Sequence, residues 1–411
     1  MLNRQQTEIQ SDSQIRKFCA YGFLKNLKFF EPYLLIFLMG KGISLFEISI
    51  LIAVREIIIN LFEIPSGLIA DHFGRKKELY FSFSFYILSF LCFFLTDSFF
   101  TAFLAMVLFG LGEAFRSGTH KAMIYTYLDS KGWQKEKTFV YGKTRSFSLI
   151  GSAFGSLAGI LLIITVPSIN LIFLFSTIPY ILDFLLILSY PDFLDNADRS
   201  DKVKIMDQVK KLIADFRQNK TLRNLLLEEG IYESTVSFIK DMIQPIMDSI
   251  FIGSGLLLLT SLSAEDNLNV ILGIVYAVLN LLGSFASRKA YRLKAQGNNI
   301  RCLFWLHLLL ALSMAVLAAV CRNPFAVFAV YLFIYILFNI RKPVFVDEVD
   351  EHIEKSERAT ILSISSQLKS VFLMISAPLM GSIAERFGFS TLLCLLSLFF
   401  FLSLPLLKSG K

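Results

Sequence analysis

The chain has 411 residues, of which 55% are hydrophobic, and its mean hydropathy is +0.61. A soluble domain of this size needs far more polar surface, so the composition excludes a soluble globular protein and predicts an integral membrane protein. The net charge of +7 is compatible with an anionic partner such as nucleic acid. Because the positive residues cluster in particular loops, we expect them to reflect membrane topology and expect no nucleic acid to bind.

Apolar blocks of about 20 residues, separated by short charged loops, extend along the chain. This is the pattern of membrane-spanning helices, since the strands of a β-barrel would alternate over about 10 residues. No small-residue cleavage site follows the first block, which we therefore interpret as a retained helix. We predict an all-α integral membrane protein with twelve transmembrane helices in two six-helix bundles. The predicted spans are residues 17–39, 45–69, 79–96, 100–125, 143–166, 169–190, 222–249, 268–287, 300–320, 324–342, 360–384 and 390–407.

The basic loop residues lie almost entirely on one side of these spans. With the N-terminus inside, Arg75–Lys77 and the loops "DSKGWQKEKTFVYGK" and "SRKAYRLKAQGNNIR" are cytoplasmic. The opposite loops carry only Lys41, Arg322 and Arg386. By the positive-inside rule, this asymmetry predicts that both termini are cytoplasmic.

A polar linker, residues 192–221, separates an N-terminal bundle (1–191) from a C-terminal bundle (222–411). Apolar residues between 203 and 216 recur near helical spacing, which predicts an amphipathic helix on the inner membrane face; a regulatory partner site is the alternative. The segments "GLIADHFGRKK" and "GSFASRKAYRLK" form a weak repeat between the halves. Six helices plus six, with repeats, predict a transporter with a midplane cavity.

The stretch "FEIPSGLIADHFGRKKE" joins the second and third predicted spans. Five of its residues resemble the loop sequence G-x-x-x-D-x-x-G-R-K of the major facilitator superfamily, at the same helix and on the same side. They are Gly67, Asp71, Gly74, Arg75 and Lys76. The resemblance covers the whole chain at the level of topology. It implies the major facilitator fold and a gate in which Asp71 binds the cytoplasmic start of the eleventh helix, near residues 357–360.

The residue types fit this gating motif on physical grounds as well. Glycine at position 67 permits close helix packing, and Gly74 permits a sharp turn. Asp71 is able to accept hydrogen bonds from a helix N-terminus, an interaction of about 0.3–1 kcal/mol at an exposed site. The alternative is that Arg75–Lys77 only fix the topology.

A longer pattern, E-x-P-x5-D-x3-R-K, begins at Glu63. It is similar to the clostridial P-class tetracycline efflux proteins, in which a second functional glutamate lies one heptad earlier; Glu56 matches that position. The segment "GEAFRSGTHKAM" also resembles this branch. The resemblance implies drug efflux. The fifth helix departs from the antiporter pattern, because "GSAFGSLAG" has no central proline, but its glycines at 151, 155 and 159 keep the spacing that permits tight helix packing.

Ionisable residues within predicted spans are costly and usually functional. The predicted proton-coupling residues are Glu31, Glu56, Glu63 and Glu113. Glu56 is interpreted as a carboxylate that carries a proton or, alternatively, as a partner of a nearby arginine. A gating or structural role is equally open for Glu63, and a local pair with Arg116 for Glu113. Lys25 is expected to extend to the cytoplasmic interface.

The seventh span is the most polar, and a polar face is forbidden in lipid, so we predict that it lines a cavity. The predicted substrate-cavity residues are Lys28, Arg116, Asp183, Glu233, Lys240, Asn339, Gln367 and Lys369. Mixed carboxylates and cations suit a zwitterionic or oxygen-rich ligand.

These features predict a transporter and no catalytic residues. No P-loop is present, and the five cysteines have no paired spacing, so we expect neither ATP, metal nor other cofactor. The leading hypothesis is a monomeric, proton-coupled exporter of drug-like compounds such as tetracycline in the bacterial cytoplasmic (inner) membrane. Its partners are then a small-molecule substrate, protons and the lipid bilayer. The alternative is a transporter of an anionic metabolite or siderophore, with Lys28, Arg116 and Lys369 as counter-charges.

Overall fold

The computed structural model describes residues 4–195, 219–254, 263–289, 299–353 and 358–407, and its regular elements are all helical in these ranges. The predicted amphipathic helix at 203–216 lies outside them. The side chains of Asp71 and of residues 354–360 are also outside the described part, so the predicted contact of Asp71 with the eleventh helix stays a prediction.

The first half of the chain forms nine α-helices within the described residues. They are α1 (Arg4–Ser11), α2 (Ser13–Lys25), α3 (Leu34–Gly40), α4 (Leu45–Phe73), α5 (Arg75–Phe94), α6 (Phe99–Arg116), α7 (Thr119–Ser130), α8 (Lys137–Thr165) and α9 (Leu171–Leu188). The described second half contains α10 (Lys220–Ser254), α11 (Ala264–Lys289), α12 (Asn299–Val320), α13 (Pro324–Asp350) and α14 (Arg358–Ser403). Helix α14 is interrupted at Gly388, whose φ is 82°.

Eight helices of the described residues are long and apolar enough to cross a membrane. The predicted span 17–39 is not among them because the chain breaks there into two short helices. The helices that cover 45–69 and 222–249 are also not among them, and both are rich in charged residues. The count of twelve therefore stays a prediction.

Residue contacts divide the chain into two compact units. The first contains α1–α3, α4 from Ile58 onward, α5–α9 and Asn269–Leu281 of α11. In it, α5 packs against α6 and α9, and α2 packs against α8. Its core is aromatic, with Phe90 in ring contact with Phe109 and Tyr180.

The second unit contains Gly42–Ile57, α10, the two ends of α11, and α12–α14. In it, α10 packs against α13 and α14, and α12 packs against the same two helices. A buried hydrophobic cluster that includes Leu226, Leu303 and Phe345 holds these helices together.

Two spans of the first unit are interrupted, although each was predicted as one continuous helix. Helix α2 ends at Lys25 and α3 begins only at Leu34. The Asn26 side chain donates to the Gly22 carbonyl at 2.7 Å, and Pro32 has no backbone N–H to continue a helix. The second break separates α6 from α7 at Gly118, whose φ of 79° is left-handed.

The predicted tight packing of the glycines in α8 is confirmed. A methyl group at Gly155 would lie 3.2 Å from the Cα of Leu27, and one at Gly151 would overlap the Phe23 carbonyl. These contacts bring α8 against the backbone where α2 ends. A methyl group added at Gly67 would have no described atom within 4 Å, so the close packing predicted for that glycine is not observed.

Gly151→Ala is expected to destabilise the protein by about 1–3 kcal/mol, because the new methyl group forces the Phe23 backbone away. The measurement is the thermal unfolding midpoint of the purified protein in detergent. Gly142→Ala is the matched control on the same helix, where no atom of the described residues lies within 4 Å of the added carbon. It should be neutral or slightly stabilising, and equal destabilisation by both variants would contradict the packing explanation.

Candidate transport site

A cluster of four charged side chains, which we call the Glu113 cluster, lies at the two helix breaks. Lys25, Lys28, Glu113 and Arg116 form it. The Glu113 carboxylate contacts the Arg116 guanidinium at 2.7 Å, the Lys28 ammonium at 3.6 Å and the Lys25 ammonium at 4.0 Å. One carboxylate is thus shared by three cations, which leaves a local excess of positive charge.

Local structure explains why the cations are here. Lys25 and Arg116 are the last residues of α2 and α6. The exposed carbonyl groups and the dipole of a helix C-terminus favour a cation at that position. Lys25 is buried, so the predicted extension to the interface is not observed.

Aromatic hydroxyls surround the cluster. The Arg116 Nε donates to the Tyr86 hydroxyl at 3.3 Å, and the Tyr180 hydroxyl donates to the Lys25 carbonyl at 2.9 Å. Tyr21 stacks on His120 with the ring centroids 3.6 Å apart. These contacts join the end of α6 to α5, the end of α2 to α9, and α2 to α7.

A second group of charges, the Arg341 network, is buried in the second unit. Arg341 is 1% exposed and donates through Nε to Glu229 at 3.0 Å and through Nη2 to Glu228. Lys342 on the same helix donates to Glu233 at 2.6 Å. Because Glu228, Glu229 and Glu233 all lie on α10, the network ties α10 to α13.

His307 of α12 extends this network. Its Nε2 lies 3.0 Å from both the Phe400 carbonyl and the Ser403 hydroxyl. Its Nδ1 is in hydrogen-bond contact with Glu228.

Glu56 lies in the second unit, buried against α14. Its carboxylate accepts hydrogen bonds from Arg55 at 3.0 Å and from the Ser370 hydroxyl at 2.7 Å, and Lys369 lies within electrostatic range. The arginine pair that was the alternative interpretation of Glu56 is therefore present, with Arg55 as the partner. Glu63 accepts a hydrogen bond from Ser117 at 3.3 Å, beside the break between α6 and α7.

The loop after α4 is anchored to the end of α9. Gly74, with φ of 102°, is the N-cap residue of α5. The backbone N–H of Lys76 donates to Asp195 at 2.6 Å, and its ammonium group donates to the Tyr190 carbonyl and to Asp192, both at 2.9 Å. Arg75 donates to Thr126 of α7 at 2.8 Å.

The family model of the Major Facilitator Superfamily matches residues 18–371. The chain belongs to this superfamily. It is 23% identical over 393 residues to YxaM of Bacillus subtilis (strain 168), an uncharacterized MFS-type transporter; the alignment covers 93% of this chain and 92% of YxaM. A superfamily member is a multi-pass membrane transporter of small molecules and not an enzyme.

Solved structures share the superfamily fold with this chain. The nucleoside transporter NupG superposes with a TM-score of 0.80 at 10% identity, over 97% of this chain and 100% of NupG. The D-xylose-proton symporter superposes with a TM-score of 0.68 at 11% identity, over 97% of this chain and 98% of the symporter. At these identities the likeness concerns the fold alone.

The remaining predicted residues of this superfamily member are dispersed. Asp183 is fully buried on α9, and neither carboxylate oxygen has a hydrogen-bond partner among the described residues. Asn339 donates to the carbonyl of Tyr335 on its own helix at 2.8 Å. The side chains of Glu31, Lys240 and Gln367 are half-buried.

Several residues of the two charged groups were not predicted. Glu228, His307 and Lys342 belong to the Arg341 network, and Tyr21 belongs to the surroundings of the Glu113 cluster. The sequence feature that pointed to His307 was its position as a lone histidine in the apolar helix α12. Within the described ranges, no group of three His, Cys, Asp or Glu side chains is arranged to hold a metal ion.

Proposed function

We propose that the chain is a proton-coupled secondary transporter that works by alternating access. The observation that supports this best is the Glu113 cluster at two interrupted spans. Irregular backbone at membrane depth is tolerated where it lines a cavity or is buried in protein, and transporters use such breaks for substrate and ion sites. One neighbour in fold is named as a proton symporter, so proton coupling requires no new architecture.

The proposed proton-coupling residues are Glu31, Glu56, Glu63 and Glu113. The structure adds Asp183 as a candidate, because no described donor stabilises its charged form. The proposal also includes twelve spans in two bundles, cytoplasmic termini, a bacterial cytoplasmic membrane and a monomeric state. The gating role of Gly67, Asp71, Gly74, Arg75 and Lys76 is part of it.

Two substrate classes are proposed. Export of amphipathic drug-like compounds, such as tetracyclines, is supported by the sequence pattern that Glu56 and Glu63 share with the P-class efflux proteins. Transport of an anionic metabolite is supported by the excess of cations over carboxylates in the Glu113 cluster. Growth of a pump-deficient bacterium that expresses the chain, across a panel of drugs and carboxylated compounds, distinguishes the two classes.

Glu56→Gln is expected to abolish proton-driven transport and leave the protein folded. The amide removes the ionisable group but still accepts the hydrogen bond from Ser370. The measurement is the accumulation of the substrate found in the panel, in vesicles with an imposed pH gradient. Unchanged transport by a well-folded Glu56→Gln protein would exclude Glu56 from coupling, and wild-type accumulation that persists without any ion gradient would exclude secondary transport.

A further inference from the structure

A cavity of about 440 Å³ lies within the first unit, enclosed by the end of α2, the α6–α7 break and the first half of α8. A cavity of this size fits a small organic ligand. Four cationic side chains line it: Lys25, Arg116, Lys121 and Arg145. No aspartate or glutamate is among the described residues that line it.

The positive charge of the cavity is only partly neutralised by its surroundings. Glu113 is shared between Lys25, Lys28 and Arg116, as described above, and Asp183 is the other buried carboxylate near Lys25. Lys121 instead lies over the rings of Tyr125 and Tyr141, at 5.7 and 5.3 Å from their centroids. The part of the chain that the structure describes supplies no acidic partner for Lys121 or Arg145.

The start of α7 contributes further donors. Gly118 is its N-cap residue and has no side chain that could cap the helix, and the N–H groups of the first turn of a helix have no intrahelical acceptor. Gly118, His120 and Lys121 line the cavity. An uncapped helix N-terminus favours a negatively charged group.

Tyr21 is the independent indication that a ligand belongs here. Its side chain lines the cavity and is 4% exposed, yet its hydroxyl donates a hydrogen bond to no acceptor among the described residues. The Arg116 guanidinium is close by, and a guanidinium only donates hydrogen bonds. The hydroxyl proton is therefore available to an acceptor inside the cavity.

We propose that this cavity binds a carboxylate or phosphate group of the transported molecule. The assignment rests on the proposed transport function, and it specifies an acidic substrate. The buried Lys25, the half-buried Arg116 and the exposed Lys121 and Arg145 supply positive charge, and the Tyr21 hydroxyl and the start of α7 donate hydrogen bonds. An anionic lipid headgroup has the same chemistry, and the experiment separates the two sources.

The test measures the thermal unfolding midpoint of the full chain, purified in a neutral detergent, at constant ionic strength. Phenyl phosphate and benzoate are the anionic probes, and benzamide is the neutral counterpart of benzoate. We expect both anions to raise the midpoint and benzamide to leave it unchanged. Equal stabilisation by benzoate and benzamide would overturn the proposal.

Variants locate the binding. Lys121→Gln and Arg145→Gln should each weaken the apparent affinity about tenfold, as for the loss of one strong charge-assisted hydrogen bond, and Tyr21→Phe should weaken it several-fold. Lys143→Gln is the matched control, since this cation is on α8 but does not line the cavity. Wild-type affinity in all three cavity variants would refute the site.

Nanodiscs of phosphatidylcholine, with and without phosphatidylglycerol, identify the source of the anionic group. A soluble substrate site gives the same phenyl phosphate response in both. A response that disappears with phosphatidylglycerol would reassign the cavity to a lipid headgroup and overturn the substrate role. Because no ion gradient is present, this binding assay is independent of transport. Anion binding by a protein that does not transport refutes the proposed function. Transport by a protein that binds no anion refutes only the anion site in the cavity.

Discussion

Arg341→Ala is expected to reduce the free energy of unfolding by about 3–5 kcal/mol, the largest effect that we expect from a single substitution in this protein. The arginine is the donor that Glu228 and Glu229 share. Without it, two carboxylates remain buried next to each other, far from water. Burying an unpaired charge costs more free energy than the ion pair contributes to stability. The measurement is the yield and unfolding midpoint of the purified protein in detergent.

Two comparisons separate charge from packing. Lys342→Ala is the matched control, since its side chain on the same helix is 42% exposed, whereas that of Arg341 is 1% exposed; we expect a smaller loss of stability than for Arg341→Ala. The triple variant Arg341→Met, Glu228→Gln, Glu229→Gln removes all three charges and should recover much of the stability. An Arg341→Ala protein with a wild-type midpoint would show that the network is not a structural tie.

Glu113→Gln is expected to reduce transport to about one tenth or less, equivalent to at least about 1.4 kcal/mol in the transport barrier. The substitution leaves Lys25, Lys28 and Arg116 close together without their common carboxylate. Their mutual repulsion separates the ends of α2 and α6, and these ends form the candidate site. The measurement is the initial transport rate in vesicles, together with the unfolding midpoint.

A second substitution tests the cause. Glu113→Gln combined with Lys28→Met removes one of the three cations, and it should recover part of the stability lost in the single variant. Glu265→Gln, at an exposed position in the first turn of α11, removes one negative charge elsewhere and should behave like the wild type. If the Glu113→Gln protein transports at the wild-type rate, transport requires neither proton coupling nor charge sharing at Glu113.

The helices were largely predictable because hydrophobic length is a direct constraint of the bilayer. Helix α12, for example, begins and ends within one residue of the predicted 300–320. The glycine spacing in α8 also predicted close packing correctly, since only glycine allows backbones to approach at the distances found near Leu27 and Phe23. Such features depend on local sequence, or on the simple exclusion of larger side chains.

The breaks in the first and fourth spans were not predicted, although the residues that cause them were visible. Pro32 and Gly118 occur in stretches whose hydropathy alone indicates continuous helices. Hydropathy measures the cost of side chains in lipid and does not register a backbone that unwinds inside protein. Lys28 and Glu113 at the breaks were recognised as candidates, and the pair of Glu113 with Arg116 was one of the interpretations, but the contacts of Glu113 with Lys25 and Lys28 were not predicted.

Partners across helices were the least predictable part. The polar face of the seventh span was expected to line a cavity, whereas Glu229 on this span is 1% exposed and bound to Arg341. A helix that is apolar on most sides gives little indication of how it is rotated about its axis. The pattern around His307 therefore did not indicate that its side chain faces Glu228.

The contacts of Lys76 have a mechanical consequence for the loop that contains the superfamily motif. The Lys76 ammonium group is bound at the end of α9, and the Lys76 N–H is bound to Asp195. The turn therefore does not move independently but forms one rigid body with the fourth and sixth spans. A gate that includes Asp71 would then open only when the turn and these two spans tilt together. A covalent cross-link between positions 76 and 192 should consequently leave the transport rate unchanged, since it would join parts of the protein that already move together.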